Sequence, residues 1–199
     1  MNLRSIFLFM MGLPALAQPQ FDRLASENFQ QQLNKEYQDE KESPLLPEDR
    51  KQFKGHPFFP IDAKYFVVAE FVRTENEKPF AMKTSTARLP MYEKYGEVHF
   101  KIDGKPCRLN VYRSMDLRNK EGYEDYLFLP FSDLTNGEET YLGGRYIDLR
   151  IPKENLIAID FNQAYNPYCA YNHKYSCPAV PQDNVLSVAI RAGVKKFHD

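Results

Sequence analysis

Two runs of alternating side chains, Gly96 to Ile102 and Lys105 to Tyr112, are separated only by Asp103-Gly104. Asp-Gly between such runs is a strong signal of a two-residue β-hairpin, because the turn that fits twisted strands needs positive φ at both central residues. Counting outward from the turn pairs Phe100 with Cys107 and Val98 with Leu109. Val98, Phe100, Ile102, Cys107, Leu109 and Val111 then share one face, while His99, Lys101 and Arg108 share the other. Pro106 falls opposite Lys101 in a non-hydrogen-bonded pair, so its missing N–H leaves the ladder intact. A slip of one residue would turn the whole apolar set to solvent, which fixes the register.

Other segments extend this β pattern. Residues 65–73 are almost continuously apolar, as in a strand covered on both faces. Further strands are predicted at 80–86, 126–131, 141–151, 156–162 and 184–192. No alternation of strands with helices is present, so the expected fold is mainly β: an antiparallel sandwich or barrel of about seven to eight strands. The chain's 199 residues suit one such domain. Ahead of it, Phe21, Ala25, Phe29, Leu33 and Tyr37 recur every four residues, with Leu24 widening the stripe. This predicts an N-terminal amphipathic helix over 21–41, stopped by Ser43-Pro44. Residues 44–60 read as a proline-rich strap with one helical turn at 48–53. The helix and strap occupy 18–62 and the β domain 63–199.

The first seventeen residues read as a signal peptide. Arg4 supplies the positive end, residues 6–16 the apolar stretch, and Ala15-Leu16-Ala17 the cleavage pattern. The apolar run is too short for a permanent membrane span. These features predict an exported protein, periplasmic or extracellular, with no stable membrane insertion after cleavage. A net charge of −1 gives no reason to expect nucleic acid as a partner.

No familiar catalytic signature is present: nucleophile elbow, His-Glu-x-x-His, phosphate loop and Cys-x-x-Cys are all missing. The densest group of chemically capable residues is 160–178, which holds Asn162, Tyr165, Asn166, Tyr168, Cys169, Tyr171, Asn172, His173 and Cys177. In an exported chain Cys169 and Cys177 suit a disulfide. The alternatives are two separate thiols, or a soft-metal site formed by Cys169, His173 and Cys177 that lacks a fourth ligand. Cys107 faces the core in the hairpin register. The asparagines suit local backbone bonds and the tyrosines a roof over the sheet's open end. His173 and His99 read as exposed, and His56 as a loop residue without an evident partner.

Arg145 is the most informative charge. Along 141–151, Tyr141, Gly143, Arg145, Ile147, Leu149 and Ile151 alternate onto one face, which sends a guanidinium inward with aliphatic neighbours. A buried arginine needs a carboxylate or several carbonyls, and Asp133, Glu138, Glu139 and Asp160 are the candidates. One reading is a structural ion pair. The other is an anion clamp in which Arg145, Glu139, Tyr141, Asn162, Tyr165 and Asn166 bind a small polar or anionic ligand. Two further readings are a hydrolase using Glu139 or Asp160 as general acid/base, and a structural or interaction protein of the cell envelope. A small-molecule ligand is the expected partner, and no cofactor is expected.

Between Tyr37 and Gly193 the sequence resembles the bacterial family catalogued as domain of unknown function 1684. The resemblance rests on Ser43-Pro-Leu45, Phe58-Phe-Pro-Ile-Asp62, Phe131-Ser-Asp-Leu-Thr-Asn-Gly137, Glu139-Thr-Tyr-Leu-Gly-Gly-Arg-Tyr146, Asp160-Phe-Asn-Gln-Ala-Tyr-Asn-Pro-Tyr-Cys169, Ser176-Cys-Pro178 and Ala192-Gly193. Leu142 stands where the family usually has glycine. The family has no assigned activity, so the resemblance implies a shared signature at 139–145 and 162–177 and no catalytic residues.

Overall fold

The computed structural model describes residues 18–197; the expected signal peptide at 1–17 lies outside the described residues. The helix forms as α1, Arg23–Gln38, capped by Asp22, whose side chain accepts from the Leu24 N–H at 2.9 Å. Its buried stripe differs from the apolar repeat: Ser26, Leu33 and Tyr37 are buried, Phe29 is half-buried, and Leu24 and Ala25 are exposed. A hydrogen bond decides the helix's rotation. Ser26 Oγ donates to Asp160 Oδ2 at 2.6 Å, so a polar residue takes the central contact. The strap contains α2, Pro47–Gln52.

Seven strands follow: β1 (Phe66–Arg73), β2 (Phe80–Ala81), β3 (Met91–Ile102), β4 (Lys105–Ser114), β5 (Tyr126–Phe131), β6 (Arg145–Arg150) and β7 (Leu156–Asp160). They form one antiparallel sheet in the order β6-β5-β4-β3-β1-β7, with β2 pairing β3, and the sheet curls into a half-barrel. The β3–β4 hairpin pairs Phe100 with Cys107, Val98 with Leu109 and Lys101 with Pro106, and Asp103 and Gly104 both have positive φ. The turn chemistry and the burial of the apolar face agree on this register.

Three predicted strands differ. The 80–86 strand shrinks to two residues, and 141–151 starts only at Arg145 because 141–144 form a turn. Residues 184–192 are not a strand but are held by side chains. Asn184 Nδ2 donates to the carbonyls of Asn110 (2.8 Å) and Pro130 (2.6 Å), and its Oδ1 accepts from the Asn110 N–H at 2.9 Å. Pro130 has no N–H, so β4 and β5 pair only at Tyr112–Phe128, and the Asn184 amide supplies the missing bonds. β1 is covered on one face only: Ala69 is buried, but Val72 is 43% exposed.

The sheet has two packed faces. Val98, Leu109, Leu127, Leu129, Ile147 and Ile159 lie on the main core face. Tyr92, Tyr112, Phe128 and Tyr146 pack with Met82 on the other. After β7 the chain runs to the opposite edge, where Tyr165 exchanges two backbone hydrogen bonds with Tyr146 of β6 (2.9 and 3.0 Å). Segment 160–178 therefore spans the gap between the edge strands, and 176–179 is tied to 83–86.

Candidate functional site

Alternation along β6 sorts its side chains. Arg145, Ile147 and Leu149 point to the core, and Tyr146 and Asp148 to the tyrosine face. Arg145 has no exposed surface, and the protein itself occupies its terminal nitrogens. Nη2 donates to Asp133 Oδ2 at 2.8 Å and to the Ile190 carbonyl at 2.7 Å, and Nη1 to the carbonyls of Ala192 and Val194. Asp133, also fully buried, takes the Thr135 N–H, the Thr135 hydroxyl and the Ile190 N–H on Oδ1. Burial works against the Arg145 charge and Asp133 supports it. This is a structural ion pair that clamps 190–194 to the sheet.

The other sequence candidates are also drawn into structural networks. Asp160 accepts from Asn162, Gln163 and Ser26, and Asn162 additionally bonds both backbone groups of Asp62. Asn166 donates to the Lys195 carbonyl. Glu139 pairs with Arg191 at the surface, at 2.8 and 3.0 Å. The two expected catalytic carboxylates, Glu139 and Asp160, thus belong to separate networks with different partners. His99 lies 3.1 Å from Glu97. His56 is not a free loop residue. It is 7% exposed, its Nδ1 sits 2.8 Å from Asn34 Oδ1, and Tyr37, Phe53 and Tyr171 pack edge-on to its ring.

The structure does not support the expected disulfide: Cys169 and Cys177 are unbonded, buried thiols. The Cys169 N–H donates to Cys177 Sγ at 3.2 Å. The hydrogen bond from Cys177, then those from Ser85 and Tyr141, pull the Cys169 thiol below the usual range, against the effect of burial. The same Cys169 contact, with burial, pushes Cys177 up. His173 is exposed, and among the described residues no group of three or more His, Cys, Asp or Glu side chains could hold a metal ion. Thiol titration after denaturing the purified protein should count three thiols per chain. A count of one would show that the pair oxidises.

A cavity of about 560 Å³ lies on the tyrosine face. The sheet contributes Tyr92, Tyr126, Phe128, Tyr146 and Asp148; α1 contributes Phe29, Leu33 and Glu36. The 160–178 segment adds Tyr165, Pro167, Tyr168 and Cys177, and Leu117 and Tyr123 stand between β4 and β5. The hydroxyls of Tyr126 and Tyr165 both donate to Asp148 Oδ1, at 2.8 and 2.7 Å. Burial, followed by the Asp148 charge, raises both phenols well above their usual range, so both remain donors. Of the residues singled out in the sequence, Tyr165, Tyr168 and Cys177 line this cavity; Arg145, Glu139, Tyr141, Asn162 and Asn166 do not. Asp148, Tyr126, Tyr146 and Tyr92 were missed. The available signal was aromatic residues in outward phase on adjacent strands, Tyr112 opposite Phe128 and Phe128 opposite Asp148, which marks a second covered face.

Residues 51–195 match the family described as protein of unknown function DUF1684. The chain belongs to that family. Among solved structures, the DUF1684 chain is similar to an uncharacterized protein of Haloarcula marismortui, determined by solution NMR. They share 31% identity with a TM-score of 0.68, covering 86% of this chain and 92% of the other. A comparison with curated proteins finds no match. The matched region contains every strand and both cysteines of the 160–178 segment, and α1 lies N-terminal to it. Among the described residues, no helix is long and apolar enough to cross a membrane.

Proposed function

We propose that this protein binds a small molecule in the cavity between the tyrosine face of the sheet and the 160–178 segment. One observation carries the reading: a carboxylate, Asp148, is held by two tyrosine hydroxyls in the wall of a cavity lined mainly by aromatic and other apolar side chains. Small-molecule sites combine this kind of apolar enclosure with a few fixed polar groups, at volumes of roughly 300–1,000 Å³. The proposed site lies on the opposite face of the same strand from Arg145, whose terminal nitrogens are bonded to Asp133 and to backbone carbonyls and whose side chain has no exposed surface.

Leu117 offers a test. It is half-buried at the cavity wall and outside the strands, so Leu117→Trp should fill the cavity and shift the unliganded melting temperature by no more than about 2 °C. A fragment screen by thermal shift should find compounds that stabilise the wild type and lose that effect in the variant. Stabilisation that persists in Leu117→Trp, or a screen without stabilising compounds, would sink the proposal.

A further inference from the structure

The cavity's chemistry specifies a class of ligand, an inference that rests on the binding role proposed above. Its charged lining groups are Glu36 and Asp148, and no lysine, arginine or histidine lines it. Asp148 Oδ1 receives both phenol hydroxyls, and among the described residues no side chain or backbone N–H donates to Oδ2. An anionic ligand would meet like charge with no cation to offset it. A neutral apolar ligand would strip water from Asp148 and leave half of the carboxylate unpaired.

The tyrosines are arranged for a different occupant. Tyr126 and Tyr165 spend their hydroxyls on Asp148, and Tyr146 donates its own to the Pro178 carbonyl. With these three polar tips engaged by the protein, the rings of Tyr126, Tyr146 and Tyr165 are what these residues offer a ligand. Ring faces are negative in their quadrupole and attract cations, most strongly where water is excluded. Tyr146 and Tyr165 meet at 89° with centroids 5.9 Å apart, and Phe128 and Tyr146 at 76° and 4.7 Å, which gives the wall a corner.

We infer that the ligand is an organic cation, an alkylammonium or trimethylammonium compound whose charge sits among these rings beside Asp148 and whose uncharged remainder occupies the rest of the cavity.

Choline and its neutral isostere 3,3-dimethylbutan-1-ol separate charge from shape. Both would be titrated into the full chain while the tyrosine ring resonances are followed by NMR. Choline should bind about tenfold more tightly than the alcohol, and Asp148→Asn should remove that preference without weakening the alcohol. Asparagine keeps an oxygen for the two phenol donors, so the fold is retained. The wild-type comparison stands even if the variant is poorly behaved. Equal affinity for the two probes would overturn the cation assignment and leave the binding role intact, as would a choline preference that survives Asp148→Asn. If neither probe moves the tyrosines but the fragment screen yields cavity binders, the cation assignment alone falls; if the screen is also empty, both fall.

Discussion

Arg145→Met is expected to destabilise the protein by about 3–5 kcal/mol, the usual cost of breaking a buried ion pair from one side. Methionine matches much of the stem's length but leaves the Asp133 carboxylate charged and fully buried. It also orphans the carbonyls of Ile190, Ala192 and Val194, which receive the guanidinium's hydrogen bonds. For a chain of this size the melting temperature should fall by roughly 10–15 °C. Arg145→Lys should also be clearly less stable than wild type, because a single ammonium cannot reproduce the planar fork that reaches both Asp133 and the carbonyls. Scanning calorimetry on the three proteins checks this. A shift of only a degree or two for Arg145→Met would show that the clamp is dispensable.

The second large effect is acid lability centred on His56. Burial pushes its pKa from 6.5 down to about 4. The His56 N–H donates to Asn34 Oδ1, which fixes that oxygen as an acceptor, so the nearby Nδ1 must carry the proton of a neutral ring. Nε2 has no partner among the described residues, so a second proton there would be buried without compensation. Between pH 6.5 and 4 the unfolded chain holds more protons than the native one, so stability rises with pH across that window. The contribution is complete above pH 6.5 and is lost as pH falls toward 4, amounting to about 3 kcal/mol. Denaturant unfolding in steps from pH 7 to 4 measures the slope. His56→Asn keeps a donor near the Nδ1 position but cannot titrate, so its slope should be shallower than that of the wild type. Identical slopes would remove His56 from the explanation.

Legibility followed the range of the interaction. The β3–β4 hairpin could be read because two adjacent residues specify its turn. The inward direction of Arg145 could be read because a strand alternates. Its choice of Asp133 over Glu139 could not, since both are near in sequence and only the packed C-terminal segment distinguishes them. Residues 184–192 have the composition of a strand, but the Asn184 amide and the Asp133–Ile190 bond hold them instead, and side chains give no periodic signal. The candidate cavity was hidden for a related reason. Tyr146 and Asp148 occupy the phase of β6 that alternation assigns to solvent. Asp148 does stay exposed, but Tyr146 is buried, and the cover over its side of the strand comes from α1 and from segment 160–178, which meet it only in the folded chain. Ser26 was hidden by its polarity, although its bond to Asp160 sets how the helix lies.

The clamp on residues 190–194 also bears on synthesis. A chain leaving the ribosome has all seven strands available before those residues emerge. Until they do, Arg145 has Asp133 but none of the carbonyls that receive its remaining hydrogen bonds, and Asp133 lacks the Ile190 N–H. Closing the core early would bury that charge half-solvated, at a cost comparable to the stability of a whole domain. The length of nascent chain outside the exit tunnel, and not the number of strands already made, therefore sets when this protein can finish folding.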